Sequence, residues 1–310
     1  MHRSAVNFQY YIFLILCLLS LFSSKVFAQD IEPRRWTPLP LKSNFVGVGY
    51  GYTNGKIFFD PVLHVEDATV EGNALAISYV RPFKIGKKLA RFDVLIPYTI
   101  VRWEGTLGGV PASTSRNGFA DPRLRLSVNF IGPSAMEAKE LQEYMIAHPV
   151  HTVVGASLAV SLPLGQYYND KLLNLGQNRF VFRPQVGFVH NWRKWSYELT
   201  GSLFIYTDNN DFFNGSTRKQ DPVFAFQTHL IRRFKPGIWG SLSLGSGLAG
   251  QSIVDNQPKK DKQENLMGAI SFGVPIMKKQ AVKIVYVRSQ TLSDVGGDTN
   301  SVSASWSASF

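Results

Sequence analysis

The last ten residues constrain the fold of this chain more than any other stretch. Serine occupies every odd position from Ser301 to Ser309, and the even positions carry Val302, Ala304, Trp306, Ala308 and Phe310. Because successive side chains of a β-strand point to opposite faces, this segment predicts a strand with one apolar and one hydroxylated face. A strand of this kind that ends on an aromatic residue is typical of bacterial outer-membrane barrels, whose assembly machinery recognises it. The alternative is the last strand of an ordinary soluble β-domain.

The first 28 residues have the pattern of a secretory signal peptide. Arg3 lies near the start, an apolar run extends from Tyr10 to Phe22, and the small residue Ala28 precedes Gln29. The run is short for a membrane-spanning helix, which favours export over an anchor. We therefore expect cleavage after residue 28. Cleavage would remove Cys17 and leave no cysteine for a disulfide or a thiolate metal site.

The expected mature chain is strongly basic. Of 33 Lys and Arg residues, two lie in the signal peptide, so 31 basic residues face 22 acidic ones and the net charge is about +9. Export argues against nucleic acid as the partner of this charge, and lipopolysaccharide phosphates or an anionic solute are the partners we expect. No apolar run after residue 28 reaches helical spanning length. A membrane protein with this sequence must therefore be a closed barrel, in which every backbone polar group is paired.

The rest of the chain divides into twelve strand candidates, several of them long enough to cross a bilayer at a tilt. They are residues 44–53, 72–83, 89–103, 118–131, 151–164, 178–192, 195–208, 221–235, 238–253, 265–277, 281–292 and 299–310. We predict an all-β protein, an antiparallel transmembrane β-barrel of about 12 strands, surrounded by the lipids of a Gram-negative outer membrane. The barrel would be a single domain, 43–310, preceded by an extended leader, 29–42.

The connections between these strands alternate in length, which is typical of outer-membrane barrels. Long loops are predicted outside the cell, and short turns, the leader and Phe310 on the periplasmic side. The long segments are 54–71, 104–117, 165–177, 209–220 and 254–264. One connection on the turn side, 132–150, is also long. In it, Ser134 and Glu137 match a capping box, which predicts a short periplasmic helix.

Charged and apolar residues alternate along several strands. Apolar side chains facing lipid and polar side chains facing a wet lumen would explain this pattern, although a soluble barrel with the opposite orientation has the same periodicity. The candidate lumen and selectivity residues are Arg91, Asp93, Asp121, Arg123, Arg125, Arg183, Gln185, Glu198, Gln227, His229 and Lys283.

Cations outnumber acids in this set, and Arg123 and Arg125 share one face of a strand. We therefore predict that the lumen prefers anions. The alternative is that Asp93, Asp121 and Glu198 neutralise the arginines in a network that only stiffens the wall. In the loop after the fifth strand, Asn174, Asn178 and Arg179 either order the loop or narrow the entrance.

No catalytic, cofactor or metal site is predicted. His148 and His151 lie in a turn without flanking acids or cysteines, and His190 and His229 have no nucleophile at a diagnostic spacing. An outer-membrane lipid enzyme is the least favoured alternative. A structural or surface-interaction barrel without transport is the other.

Several motifs carry a resemblance to a known family. They are the segments 118–124, 161–167, 172–187 and 217–222. Together they resemble the outer-membrane transporter family labelled as a MetA-pathway of phenol degradation, over about residues 45–310. Ala120, Phe180 and Phe310 depart from its usual residues. The resemblance implies uptake of small aromatic or other hydrophobic compounds. The leader is much shorter than the plug domain of an energy-coupled receptor, so we expect passive or facilitated passage.

Overall fold

The computed structural model describes residues 31–60, 63–248, 250–262 and 264–310. The predicted signal peptide, with Cys17, lies outside the described residues. No helix in these ranges is long and apolar enough to cross a membrane.

The described residues are mostly strand. In chain order the strands are β1 Phe45–Phe58, β2 Val65–Ile85, β3 Lys88–Leu107, β4 Val110–Phe119, β5 Arg123–Ile131, β6 Val150–Ser161, β7 Val181–Trp192, β8 Trp195–Tyr206, β9 Asn209–Phe212, β10 Ser216–Gln220, β11 Val223–Lys235, β12 Ile238–Leu248, β13 Ser252–Val254, β14 Gln257–Pro258, β15 Asn265–Met277, β16 Gln280–Thr291 and β17 Gly296–Ser309. One α-helix, α1 Ala138–Ala147, separates β5 from β6, and a 3-10 turn, Phe213–Gly215, separates β9 from β10.

The main sheet closes on itself. β1 pairs antiparallel with β2 on one side and with β17 on the other. β4 and β5 both pair with β3, so they are two parts of one wall strand. Within the described residues this gives a closed antiparallel barrel of 12 strands, and the predicted fold is confirmed.

The burial pattern is the reverse of that in a soluble protein. On β7, the side chain of Gln185 is 2% exposed, whereas that of Val186 is 62% exposed. The same alternation of buried polar and exposed apolar residues recurs on β8, β11 and β15. A contiguous apolar exterior of this size is stable only in lipid. The soluble alternative therefore fails.

The two ends of the barrel differ, and we name them the turn end and the loop end. At the turn end, two-residue hairpins carry Gly86, Arg193, Gly237 and Lys279 at positive φ, as tight β-hairpins require. Asn44 and Phe310 exchange two backbone hydrogen bonds there, of 2.8 and 3.0 Å. The helix α1 lies at this end. Its capping box joins Glu137 to Glu140, three residues later than the Ser134 motif suggested.

The predicted loops at 54–71 and 104–117 are wrong for most of their length. β2 and β3 extend into them, with total lengths of 21 and 20 residues, and β3 turns directly into β4. We call residues 63–69, 103–107 and 110–116 the extended wall. Charged residues and glycines made these segments resemble loops, but each has a neighbouring strand that supplies its backbone hydrogen bonds. The predicted loops 209–220 and 254–264 likewise contain a small four-stranded sheet of β9, β10, β13 and β14.

A single strand was predicted over 118–131, but the structure divides it at residues 120–122. Pro122 has no N–H to donate to the ladder, and Ala120 N instead donates to Pro97 O at 3.0 Å. The gap leaves room for the Asp121 side chain to hold a neighbouring loop.

A charge on the outer face tests the lipid-facing surface. Val186→Arg places a cation in the middle of β7, and we expect it to lower the free energy of unfolding by about 2–4 kcal/mol in lipid vesicles. Val110→Arg, at the exposed tip of the extended wall, is the matched control and should change it by less than about 0.5 kcal/mol. Urea unfolding measures both. Equal effects would contradict a lipid-facing Val186.

Candidate functional site in the barrel lumen

The leader enters the barrel. Glu32 N donates to Gln227 Oε1 at 3.0 Å, and Arg34 N donates to Glu198 Oε2 at 2.7 Å. These acceptors point inward from β11 and β8. We call residues 31–36 the lumen segment. The leader was predicted on the periplasmic side with Phe310, but only residues 37–44 run to the turn end.

Glu32 is the centre of a buried ion cluster. Arg125 binds it with both terminal nitrogens, at 2.6 and 2.7 Å, and Arg123 approaches to 3.3 Å. Arg35 Nε lies 3.6 Å from the same carboxylate. Burial alone would raise the pKa of Glu32, but these three guanidinium groups hold it well below its usual range. Glu32 therefore stays ionised when pH falls through the range in which carboxyl groups normally titrate.

This cluster changes the role predicted for Arg123 and Arg125. They were expected to be open cations, or to be neutralised by Asp93, Asp121 or Glu198. Their partner is instead Glu32, a residue outside the predicted set. The missed signal is the composition of the leader, in which residues 32–36 combine one acid, two arginines and a tryptophan.

The three acids predicted as partners have other contacts. Asp93 forms ion pairs with Arg35, at 3.3 Å, and with Arg91. Glu198 accepts the backbone N–H of the lumen segment. Asp121 lies at the break between β4 and β5, where it accepts hydrogen bonds from Gly165 N at 3.0 Å and Gln177 N at 2.8 Å. Asp121 thus belongs to the loop end and not to the ion cluster.

Trp36 anchors the lumen segment. It is 2% exposed, clusters with Val153 and Val189, and donates from Nε1 to Thr200 Oγ1 at 2.8 Å. Its indole lies on the backbone of β6 and β7 at Gly155 and Gly187. A Cβ atom at Gly187 would lie 1.9 Å from the ring. Because no larger side chain fits there, glycine is what allows the leader to dock.

Other predicted lumen residues are buried in the same half of the barrel. Gln185 accepts from Ser157 Oγ and donates to Ser202 Oγ, both at 3.1 Å. His229 Nδ1 lies 2.8 Å from Ser243 Oγ, and its Nε2 lies 3.2 Å from Gln227. The Arg183 guanidinium lies 4.6 Å from the centre of the Phe204 ring. These contacts stiffen the wall against which the leader packs.

The opposite half of the lumen is open. A chamber of about 620 Å³ lies between Ile31 and the loop end, and a second, of about 480 Å³, lies toward the turn end beside Arg34. We call the first the upper chamber. Apolar side chains dominate its lining, including Ile57, Val70, Met267, Val285 and Val287. Lys283 lines both chambers. Among the described residues it has no hydrogen-bond or ion-pair partner.

The three candidate entrance residues hold the loop 165–177 in place. The Asn174 side chain accepts from Tyr168 N at 2.8 Å and donates to Tyr168 O at 3.0 Å. Asn178, at φ 52°, donates to Asn209 Oδ1 at 3.0 Å. Arg179 lies 4.4 Å from the centre of the Tyr206 ring. Burial, aided by nearby Arg218, lowers the pKa of Arg179 to about 10, so it remains a cation at neutral pH.

The described residues contain no group of three or more His, Cys, Asp and Glu side chains that could bind a metal ion.

Comparison with solved structures shows which barrels this one resembles. The crystal structure of the COG4313 outer membrane channel from Pseudomonas putida F1 superimposes with a TM-score of 0.76 at 19% identity, covering 91% of this chain and 100% of that one. The transport unit of the autotransporter AIDA-I from Escherichia coli gives a TM-score of 0.51 at 8% identity, covering 92% and 94%. The fold is thus that of an outer-membrane barrel.

No curated protein sequence matches the chain. A family model, described as "Putative MetA-pathway of phenol degradation", matches residues 61–275, which is more than half of the chain. The match lies within the region that carries the motif resemblance. The protein belongs to this family of outer-membrane β-barrel proteins.

Proposed function

We propose that the protein is an outer-membrane channel for passive or facilitated uptake of small aromatic, hydrophobic or anionic compounds. The observation that carries the proposal is the pair of chambers on either side of the lumen segment, of which the upper one is largely apolar. Their volumes suit compounds of one or two rings. The P. putida relative is described as an outer membrane channel, and the family description names phenol degradation. The first description supports a channel, and the second supports this class of solute.

The lumen segment acts as an internal gate in this proposal. It lies between the two chambers, and Lys283 lines both of them. A solute larger than an ion passes when the segment shifts, and the Glu32 ion cluster resists that shift. Pairs that are largely buried and bidentate, such as Glu32 with Arg125, are costly to break without a replacement partner.

Charge in the lumen favours anionic solutes. Basic residues outnumber acids among the lumen residues described above. The bases are Arg34, Arg35, Arg91, Arg123, Arg125, Arg183 and Lys283, and the acids are Glu32, Asp93 and Glu198. Most of these arginines contact acids or aromatic rings. Arg34, which lies over the Trp239 ring, lines only the second chamber, whereas Lys283 lines both. An aromatic carboxylate or phenolate would place its ring in the upper chamber and its charge near Lys283.

A solute panel tests the class of compound. In proteoliposomes, we expect benzoate and phenol to cause swelling faster than sugars of similar mass, because the upper chamber is apolar. Swelling should need no other protein. Permeation of sugars at the same rate as benzoate, or dependence on an inner-membrane partner, would contradict the proposal.

Glu32→Gln tests the gate. Removing the charge breaks the ion cluster, and we expect the rate of benzoate-driven swelling to rise about tenfold, equivalent to about 1.4 kcal/mol less resistance to movement of the segment. Arg125→Gln should give the same direction, and the double variant should add little because both changes remove one interaction. The control is Glu137→Gln, which removes an exposed ion pair with Lys42 outside the lumen. An unchanged rate in Glu32→Gln would show that the cluster does not restrain passage.

Lys283→Gln tests charge recognition. We expect the reversal potential under a salt gradient to shift toward zero and the preference for benzoate over uncharged phenol to fall, because a cation that lines both chambers is lost. Lys278→Gln is the matched control, since Lys278 is exposed at the turn end. Equal shifts in the two variants would assign the preference to surface charge.

A further inference from the structure

A third cavity lies at the loop end, outside the two chambers. Its volume is about 410 Å³, and it lies between the extended wall and the two loops 165–177 and 207–222. Its lining is mainly apolar and includes Leu63, Ala68, Trp103, Leu172, Leu173 and Phe213. Neither the sequence motifs nor the proposed gate accounts for it.

The loops that form the cavity are fixed by backbone hydrogen bonds. Gln166 N donates to Phe119 O at 2.7 Å, which joins the first loop to the extended part of the wall strand. Asn214 N donates to Asn169 O at 2.7 Å, which places Phe213 beside that loop. The Asn169 side chain also donates to the Asp211 carboxylate at 3.0 and 3.1 Å. The cavity is therefore a built feature of the loop end and does not need a ligand to form it.

The chemistry of the lining selects an aromatic compound with one polar group. Trp103 and Phe213 offer ring surfaces, and the leucines complete an apolar floor. The acids at the rim are already paired, Asp170 with Lys171 and Glu104 with Arg102, each at 2.5 Å.

Arg116 is the remaining cation in this lining. It lies 5.7 Å from the Tyr168 ring, and its Nη1 donates to Thr114 Oγ1 at 3.0 Å and to Ser115 O at 2.8 Å. These partners are neutral, so the guanidinium charge can attract a carboxylate or a phenol oxygen in the cavity.

The cavity adjoins the upper chamber. Phe59 lines both spaces. Val70, in the upper chamber, is the direct cross-strand neighbour of Trp103, in the cavity. A solute that leaves the cavity past Phe59 enters the upper chamber without crossing the wall.

We propose that this loop-end cavity is a capture site, which binds a monocyclic aromatic acid or phenol outside the cell and delivers it past Phe59 to the upper chamber. The delivery step rests on the proposed channel function, but binding at the cavity is measured independently of transport.

Cysteine protection tests binding directly, because Cys17 is the chain's one cysteine and lies in the predicted signal peptide. Leu172→Cys in the full mature protein, purified from outer membranes into nanodiscs, is labelled with N-ethylmaleimide with and without benzoate. At about ten times the dissociation constant, benzoate should slow labelling about tenfold, since the rate follows the unoccupied fraction. Leu164→Cys, an exposed leucine of the same loop end that does not line the cavity, is the matched control and should be unaffected.

A second pair of variants guards against damage by the cysteine itself. In the Leu172→Cys background, Phe213→Ala should weaken binding. The benzoate concentration that gives half-maximal protection should rise by up to about tenfold. Phe180→Ala, an exposed aromatic outside the cavity, should leave protection unchanged.

The outcomes separate this proposal from the proposed channel function. No protection at Leu172→Cys, or equal slowing at Leu164→Cys, would overturn the capture site even if benzoate causes swelling. Slowing by added lipid and not by benzoate would assign the cavity to an acyl chain and would also overturn it. Protection without any benzoate-driven swelling would support binding at the cavity and overturn the channel.

Discussion

The interior of this barrel depends on the salt bridge between Glu32 and Arg125. Removing two opposite charges from water is costly, and the cost is offset only when the geometry is close and further donors satisfy the carboxylate. Here Arg123 and Arg35 supply those donors, and Gln227 accepts the backbone N–H of Glu32. The same cluster fixes the leader and offsets part of the positive charge of the wall arginines. Without Glu32, Arg123 and Arg125 would be adjacent like charges in a narrow lumen.

The leader is directed to one half of the barrel by the small residues opposite it. Trp36 can reach the wall only because Gly155 and Gly187 present bare backbone. Its indole then meets Val153 and Val189, with which it forms a buried apolar cluster. Apolar packing and the ion cluster therefore act together. They fix the segment against β5–β8 and β11, and the two chambers lie on the side of β1, β16 and β17.

The wall was predictable from sequence and the contents of the lumen were not. Alternation along segments such as 121–130 indicates which face each residue occupies. This information is local, and it was enough to predict the wall. The structure confirms the closed 12-stranded barrel. Glu32 and Arg125 are 93 residues apart, and no periodicity in the leader indicates where it docks. Asp121 lies on the lumen side by its spacing alone. The break at Pro122 redirects it to Gly165 and Gln177, a change that depends on the three-dimensional position of another loop.

The serine alternation at the end of the chain has a consequence for the lumen as well as for the lipid face. Ser303, Ser305 and Ser307 are paired in register with Gly51, Gly49 and Gly47 of β1. These six inner positions are thus small, and they line the half of the lumen that the leader does not occupy. Larger side chains at these positions would fill the chambers, whereas serine and glycine keep them open and pave them with hydroxyl and backbone groups. Val302, Ala304 and Trp306 meanwhile supply the lipid-facing surface. One period-2 pattern therefore sets both the membrane contact and the free volume beside Lys283, along β1 and β17.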